Sequence, residues 1–256
     1  EGNKTITGVT KASPGVITSN SHGYSNGDEV YISGIVGMTE LNGKTFLVAN
    51  STTNTFSLTD KDGVAINTTS YTTYSSGGIA NRVYEIATPY TTAELFDIKF
   101  AQSADVMYIT HPSHEVEKLS RTGHTAWTLT NVDFGNGPFM DHNVETTTAN
   151  PSHKTVGSTT TVTFSAVTGI NNGAGFLSTD VGRLVHIKDG HFKITSITST
   201  TIVVGTVIID LGISSSTTTD FALGSFSNTS GFPSCVTFFE QRLVFAGTIA
   251  QPQTIF

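Results

Sequence analysis

At 256 residues the chain is long enough for two or three compact domains, and hydrophobic residues at 37% suffice for their cores. A net charge of −7, with thirteen scattered Lys and Arg and no basic run, argues against a protein that wraps nucleic acid. A single cysteine, Cys235, rules out an intramolecular disulfide framework, and no apolar stretch approaches the roughly 20 residues of a membrane helix, so no membrane insertion is expected.

Charged residues make up 13% of the chain, against roughly 25% in ordinary soluble domains, while Ser and Thr supply about a quarter. Such a Thr-rich, Gly-punctuated chain favours β structure, because β-branched side chains suit a pleated surface and Gly serves the turns. The start, Glu1-Gly2-Asn3, carries neither an initiator Met nor a signal peptide.

Residues 1–82 read as a first small β-barrel. Short alternating or β-branched runs at 6–9, 15–18, 29–32, 45–49 and 55–58 are separated by the turn signals Ser13-Pro14-Gly15, Ser25-Asn26-Gly27-Asp28 and Leu41-Asn42-Gly43-Lys44. Ile6, Val30, Ile32, Phe46, Val48 and Phe56 are the expected core, and 75–81 reads as the exposed end of the module.

Residues 83–144 carry a different pattern: Asp97-Ile98-Lys99-Phe100-Ala101-Gln102, a polar break at 103–105, Val106-Met107-Tyr108-Ile109, a turn at Pro112, and a further run at 116–120. Strand, tight turn, strand, Pro turn, strand is the inner part of a propeller blade. Residues 145–225 repeat the barrel plan, with runs at 162–164, 184–187, 192–197 and 202–209, and Gly182-Arg183-Leu184-Val185-His186-Ile187 parallels Gly27-Asp28-Glu29-Val30-Tyr31-Ile32. The Thr- and Asn-rich stretches 145–152 and 214–219 read as entry and exit linkers. Residues 226–256 begin a second blade, pairing Val236, Phe238, Leu243 and Phe245 with Ile98, Phe100, Val106 and Tyr108, and Cys235 is expected as a small buried hydrophobe. The fold class is thus all-β, two small β-barrels attached to an incomplete β-propeller-like scaffold. One and a half blades do not close a ring of about four to eight, so the chain is read as a fragment.

The chemistry-bearing residues are weighed against simpler roles. His111 and His114 with Glu115 and Glu117 have the spacing of a metal site, but structural zinc takes four ligands and Cys235 is remote in sequence, so a solvated turn beside Pro112 is preferred. His22, His142 and His153 are given the same turn-like reading. Asp133, Asp141, Glu145 and Asp180 are candidates for a carboxylate pair, which needs two groups facing across about 5–10 Å; Asp28 and Asp180, each beside a Gly turn, are read as Asx-type turn formers. Gly135-Asn136-Gly137 and Gly173-Ala174-Gly175 are too short for phosphate loops. Tyr71, Tyr74, Tyr84, Tyr90 and Trp127 are the residues that could line a sugar platform. No catalytic residue, cofactor or metal is expected, and metal analysis is expected to find no stoichiometric zinc.

The stretch with His22-Gly23-Tyr24, Asn26-Gly27-Asp28 and Leu41-Asn42-Gly43-Lys44-Thr45-Phe46 resembles the module named after the first catalytic cysteine half-domain of ubiquitin-activating enzymes, a β-barrel without catalytic residues of its own. Much of the rest, including Ala126-Trp127-Thr128-Leu129, Gly137-Pro138-Phe139-Met140-Asp141, Asp180-Val181-Gly182-Arg183 and Phe239-Glu240-Gln241-Arg242-Leu243-Val244-Phe245-Ala246-Gly247, resembles the tail tubular protein B, or tail nozzle (stabilisation), family of short-tailed phages. That likeness implies a structural virion protein of the tail: a ring homo-oligomer, a wall for passing DNA bound without specificity, and docking of adaptor and fibre proteins. An acidic wall suits that task, since like charge lets DNA slide. The alternatives are a carbohydrate- or receptor-binding β module and, behind it, a polysaccharide depolymerase.

Overall fold

The computed structural model describes residues 3–123 and 125–256. The protein is all-β: among the described residues the only helical pieces are short 3-10 turns. It divides into two compact units, Glu1–Ala87 and Thr88–Phe256.

The first unit is one curled sheet of β1 (Lys4–Thr5), β2 (Gly8–Val9), β3 (Val16–Thr18), β4 (Glu29–Val36), β5 (Lys44–Ala49), β6 (Thr55–Thr59) and β7 (Ser76–Arg82), in the order β1-β7-β4-β5-β6-β3-β2. Its two edges, β1 and β2, are successive pieces of one stretch of chain. Between them the Ile6 amide donates to the Gly78 carbonyl and the Thr7 amide to the Thr18 carbonyl, both at 2.9 Å. One bent strand therefore joins β7 to β3 and closes a six-stranded barrel, which leaves no free edge for pairing with other chains. All six expected core residues are buried, together with Ile17, Met38, Leu41 and Leu58.

Strand β7 corrects the expectation of an exposed end at 75–81. It lies between β4 and β1, bonded on both sides. Its sequence hides this, since Gly77 and Gly78 break the apolar pattern. At Gly78 the backbone has φ +106°, and an added Cβ would sit 2.6 Å from Ile35 and 3.3 Å from Ile6, so the strand passes too close to the core for a side chain.

The second unit opens with a four-stranded antiparallel meander of β8 (Lys99–Ser103), β9 (Val106–His111), β10 (His114–Gly123) and β11 (Ala126–Asn131), in the order β11-β10-β9-β8. A four-stranded meander is the shape of a propeller blade. It continues through β12 (Ala149–Pro151), β13 (Thr159–Phe164), β14 (Leu184–Ile187), β15 (Gly190–Ser199), β16 (Ile202–Ile209) and β17 (Phe221–Leu223), a sheet in the order β12-β13-β16-β15-β14-β17. Ala149 and Thr218 exchange both backbone hydrogen bonds, at 2.8 and 3.0 Å, which joins the edges as in the first barrel. Matching β12–β17 in turn to β1/β2 and β3–β7 reproduces the same strand order and the same closure. The two barrels share one topology.

The stretch 145–152 is therefore no linker: it holds β12, and Thr147, Ala149 and Pro151 are buried. The true connection is a ladder of two chain segments. The Met140 and Asn143 amides donate to the Leu223 and Phe221 carbonyls, and the Ser225 amide to the Pro138 carbonyl.

The final hairpin, β18 (Cys235–Phe239) and β19 (Arg242–Ala246), turns at Glu240-Gln241, both at positive φ, the backbone of a tight two-residue hairpin turn. Phe245 and Phe256 then exchange backbone bonds at 2.7 and 3.2 Å, adding a third short strand. β8–β9 also joins through two residues, Ala104-Asp105. The two hairpins thus match at one offset of 136 residues, which corrects the pairing expected from sequence and aligns Ile109 with Phe245, both buried. Cys235 is exposed, another correction: β18 has a partner strand on one side only, and the alternation that buries Phe245 on β19 leaves Cys235 and Phe239 uncovered. Edge-to-face contacts of Phe134 with Phe226 and Phe245, and of Phe226 with Phe256, tie the meander's exit, the barrel's exit and the hairpin together.

Candidate functional site

A compact group of ionisable side chains surrounds the turn between β9 and β10. His111 ends β9 and His114 begins β10, and because these residues pair across the hairpin their rings lie 5.0 Å apart between centroids. Pro112 and Ser113 form the connection, and the Ser113 amide donates to His111 Nδ1 at 3.1 Å. The third member, Glu94, comes from a 3-10 turn at Thr92–Glu94. Thr91 caps that turn, its amide and hydroxyl both donating to Glu94 Oε2 at 2.8 and 2.7 Å, and His114 Nε2 meets Oε1 at 2.9 Å. These bonds, the Thr91 amide foremost, pull the Glu94 carboxyl down to about 2.

Burial is uneven within the group. His111 is only 3% exposed, and its Nε2 has no hydrogen-bond partner. Tyr90 packs edge-on to His114 at 5.2 Å, its hydroxyl is likewise buried without a partner, and burial pushes that hydroxyl up to about 12. Glu117 is buried beside them, and burial, followed by the charge of Glu115, raises its pKa. Of the four residues weighed for a metal, His111 and His114 come together. Glu115 turns elsewhere, to Asn131. Glu94 was missed: it lies 17 residues before His111, and only the folding of its turn onto the hairpin brings it in. The solvated-turn reading fails for His111, which is buried.

The other candidates resolve separately. His22 is a buried core residue rather than a turn residue, its Nδ1 accepting from the Tyr24 amide and its ring packed on Tyr24 and Phe56. His142 stays exposed and pairs with Asp220 at 2.7 Å, and His153 is also exposed. Asp28 accepts from the Ser25 amide, as a turn former should, and also pairs with Arg82 at 2.6 Å. Asp180 accepts from the Leu177 amide and, fully buried, from Arg183 at 2.9 Å. Asp133 and Asp141 line different clefts, of about 280 and 320 Å³, so they form no pair across a common substrate. Among the aromatics, Tyr71 and Tyr74 pack on the first barrel's core and Tyr84 is half-exposed in that same unit, while Tyr90 and Trp127 belong to the second unit.

The first unit carries a likeness to a known family. Residues 12–84 match the model of the ubiquitin-activating enzyme E1 FCCH domain. The match begins after β1 and β2, so the strand that closes the barrel lies outside it. Within the FCCH-like module, Tyr24 donates to the Ala80 carbonyl at 2.7 Å while Arg82 stacks over its ring and pairs with Asp28, clamping the entry of β4 to the end of β7. The second barrel has a counterpart: Arg183, at the entry of β14, donates to the Gly224 carbonyl just past β17 at 2.7 Å. No curated protein matches the chain.

Proposed function

We propose that this protein is a structural component of a phage tail, a ring-forming nozzle subunit that walls the DNA path and docks neighbouring tail proteins. The observation that carries this reading is the blade-like meander followed, after an inserted barrel, by a second hairpin of the same connection and offset. The net charge of −7 agrees with a wall that DNA passes without sticking. A heterologous ring forms when each subunit presents two complementary faces at the closing rotation. Light scattering and electron microscopy of the full-length gene product are expected to show a ring. A monomeric full-length product under virion-like conditions would overturn the reading.

One observation favours a second reading, a glycan-binding module without catalysis. The 280 Å³ cleft sets Glu115, Asn131, Asp133 and Lys193 beside Phe134, Phe226 and Phe232, the mixture of hydroxyl-binding and ring-stacking groups that sugars need. Binding on a glycan array that Asp133→Ala abolishes would favour it over the nozzle.

A further inference from the structure

We propose that Glu94, His111 and His114 form a binding site for a divalent transition-metal ion of the zinc type, which cross-links the Thr92–Glu94 turn to the β9–β10 hairpin. The ligand atoms these residues offer all lie within 4.8 Å of one another, so small side-chain movements bring them to the 2.0–2.2 Å bond lengths of zinc with imidazole nitrogen and carboxylate oxygen. Two imidazoles and one carboxylate suit a borderline ion such as Zn²⁺ better than Mg²⁺ or Ca²⁺, which take all-oxygen shells. This site is independent of the tail reading, and it reverses the expectation of a metal-free turn.

Three features point to a ligand rather than to a chance cluster. His111 is buried, with Nε2 unpartnered, and coordination through that nitrogen would give it a partner. Glu94 has one oxygen held by two donors from Thr91, which leaves Oε1 turned to His114; such an outer shell fixes the direction of a ligating carboxylate. The third is the identity of the neighbours, since the Tyr90 hydroxyl, buried without a partner, and the buried Glu117 lie beside the group. The second hairpin has Gly247 where the first has His111, so the site belongs to one repeat only.

Coordination has a defined proton balance. With the Ser113 amide donating to Nδ1, the neutral His111 ring carries its proton on Nε2. Binding through Nε2 moves that proton to Nδ1, and the Ser113 bond is given up. Glu94 is ionised at neutral pH and loses no proton, and His114 exchanges its contact with Oε1 for a bond to the ion. Three protein ligands leave the fourth position to water.

The test is titration of the untagged, chelator-treated chain with Zn²⁺ alone, followed by calorimetry and by the amide NMR spectrum. One ion per chain is expected, with displacement of the Ser113 amide resonance as its acceptor is lost. Glu94→Gln and His114→Gln, both at partly exposed positions that keep the fold, are each expected to weaken binding more than tenfold. Absence of one-to-one binding, affinity in both variants equal to the parent's, or an unmoved Ser113 resonance would overturn the site.

Discussion

Arg183 is the largest of the fully buried side chains, and it is satisfied on every side: Asp180 at 2.9 Å, Asn171 at 2.8 Å and the Gly224 carbonyl at 2.7 Å. Burial lowers its pKa, and the Asp180 carboxylate opposes that shift. Removing one partner of a buried pair strands the other charge, at a cost of about 3–5 kcal/mol. Asp180→Ala is therefore expected to lower unfolding free energy by about that amount, read from urea melts monitored at the β-sheet signal. Glu94 gives a pH signature instead. Its folded pKa lies near 2 against an ordinary value of 4.5, so its stabilisation is fully present above about 4.5 and is lost as pH falls toward 2. The melting temperatures of the parent and Glu94→Gln are expected to differ at pH 6 and to converge near pH 2.

At the scale of the element, β7 shows that a strand can rest on its neighbours rather than on its own pattern. Both of its edges are bonded, and it approaches the core so closely that only glycine fits at 78. Gly78→Ala places a side chain at φ +106° and against Ile35, which is expected to cost about 1–3 kcal/mol. Phe46, on the inward face of β5, should cost about 3–5 kcal/mol on substitution by Ala, since it closes the core shared by Val30 and Phe56. Denaturant midpoints of the two variants check both values. The same bonding protects β7 from proteolysis, whose first cleavage is expected after Arg82, in the strand-free residues 83–91.

At the scale of the molecule, each compact unit has a core of its own. Residues 1–87 are expected to fold when expressed alone, giving the amide dispersion of a native β-barrel; a collapsed spectrum would mean that the module needs the rest of the chain. The second unit is expected to melt as one, because Phe134, Phe226, Phe245 and Phe256 link its meander, barrel and hairpin.

What the sequence determined by itself is local. Composition and alternation sufficed for the all-β class, for the core of the first barrel and for strands such as β14 and β16, whose apolar periodicity survives on a single stretch of chain. The parallel between 27–32 and 182–187 was legible for the same reason and marks the equivalent strands of two barrels with one topology. Tertiary structure decided whatever depends on two distant stretches meeting. β7, β12 and β17 have little pattern of their own and become strands because their backbone groups must be paired once they lie between or beside others. Cys235 is exposed because of what fails to cover it. Glu94 joins His111 and His114 only when a capped turn lands on a hairpin, and the unpartnered Nε2 of His111 has no sequence signal at all, since burial and hydrogen-bond satisfaction are properties of neighbours rather than of the residue.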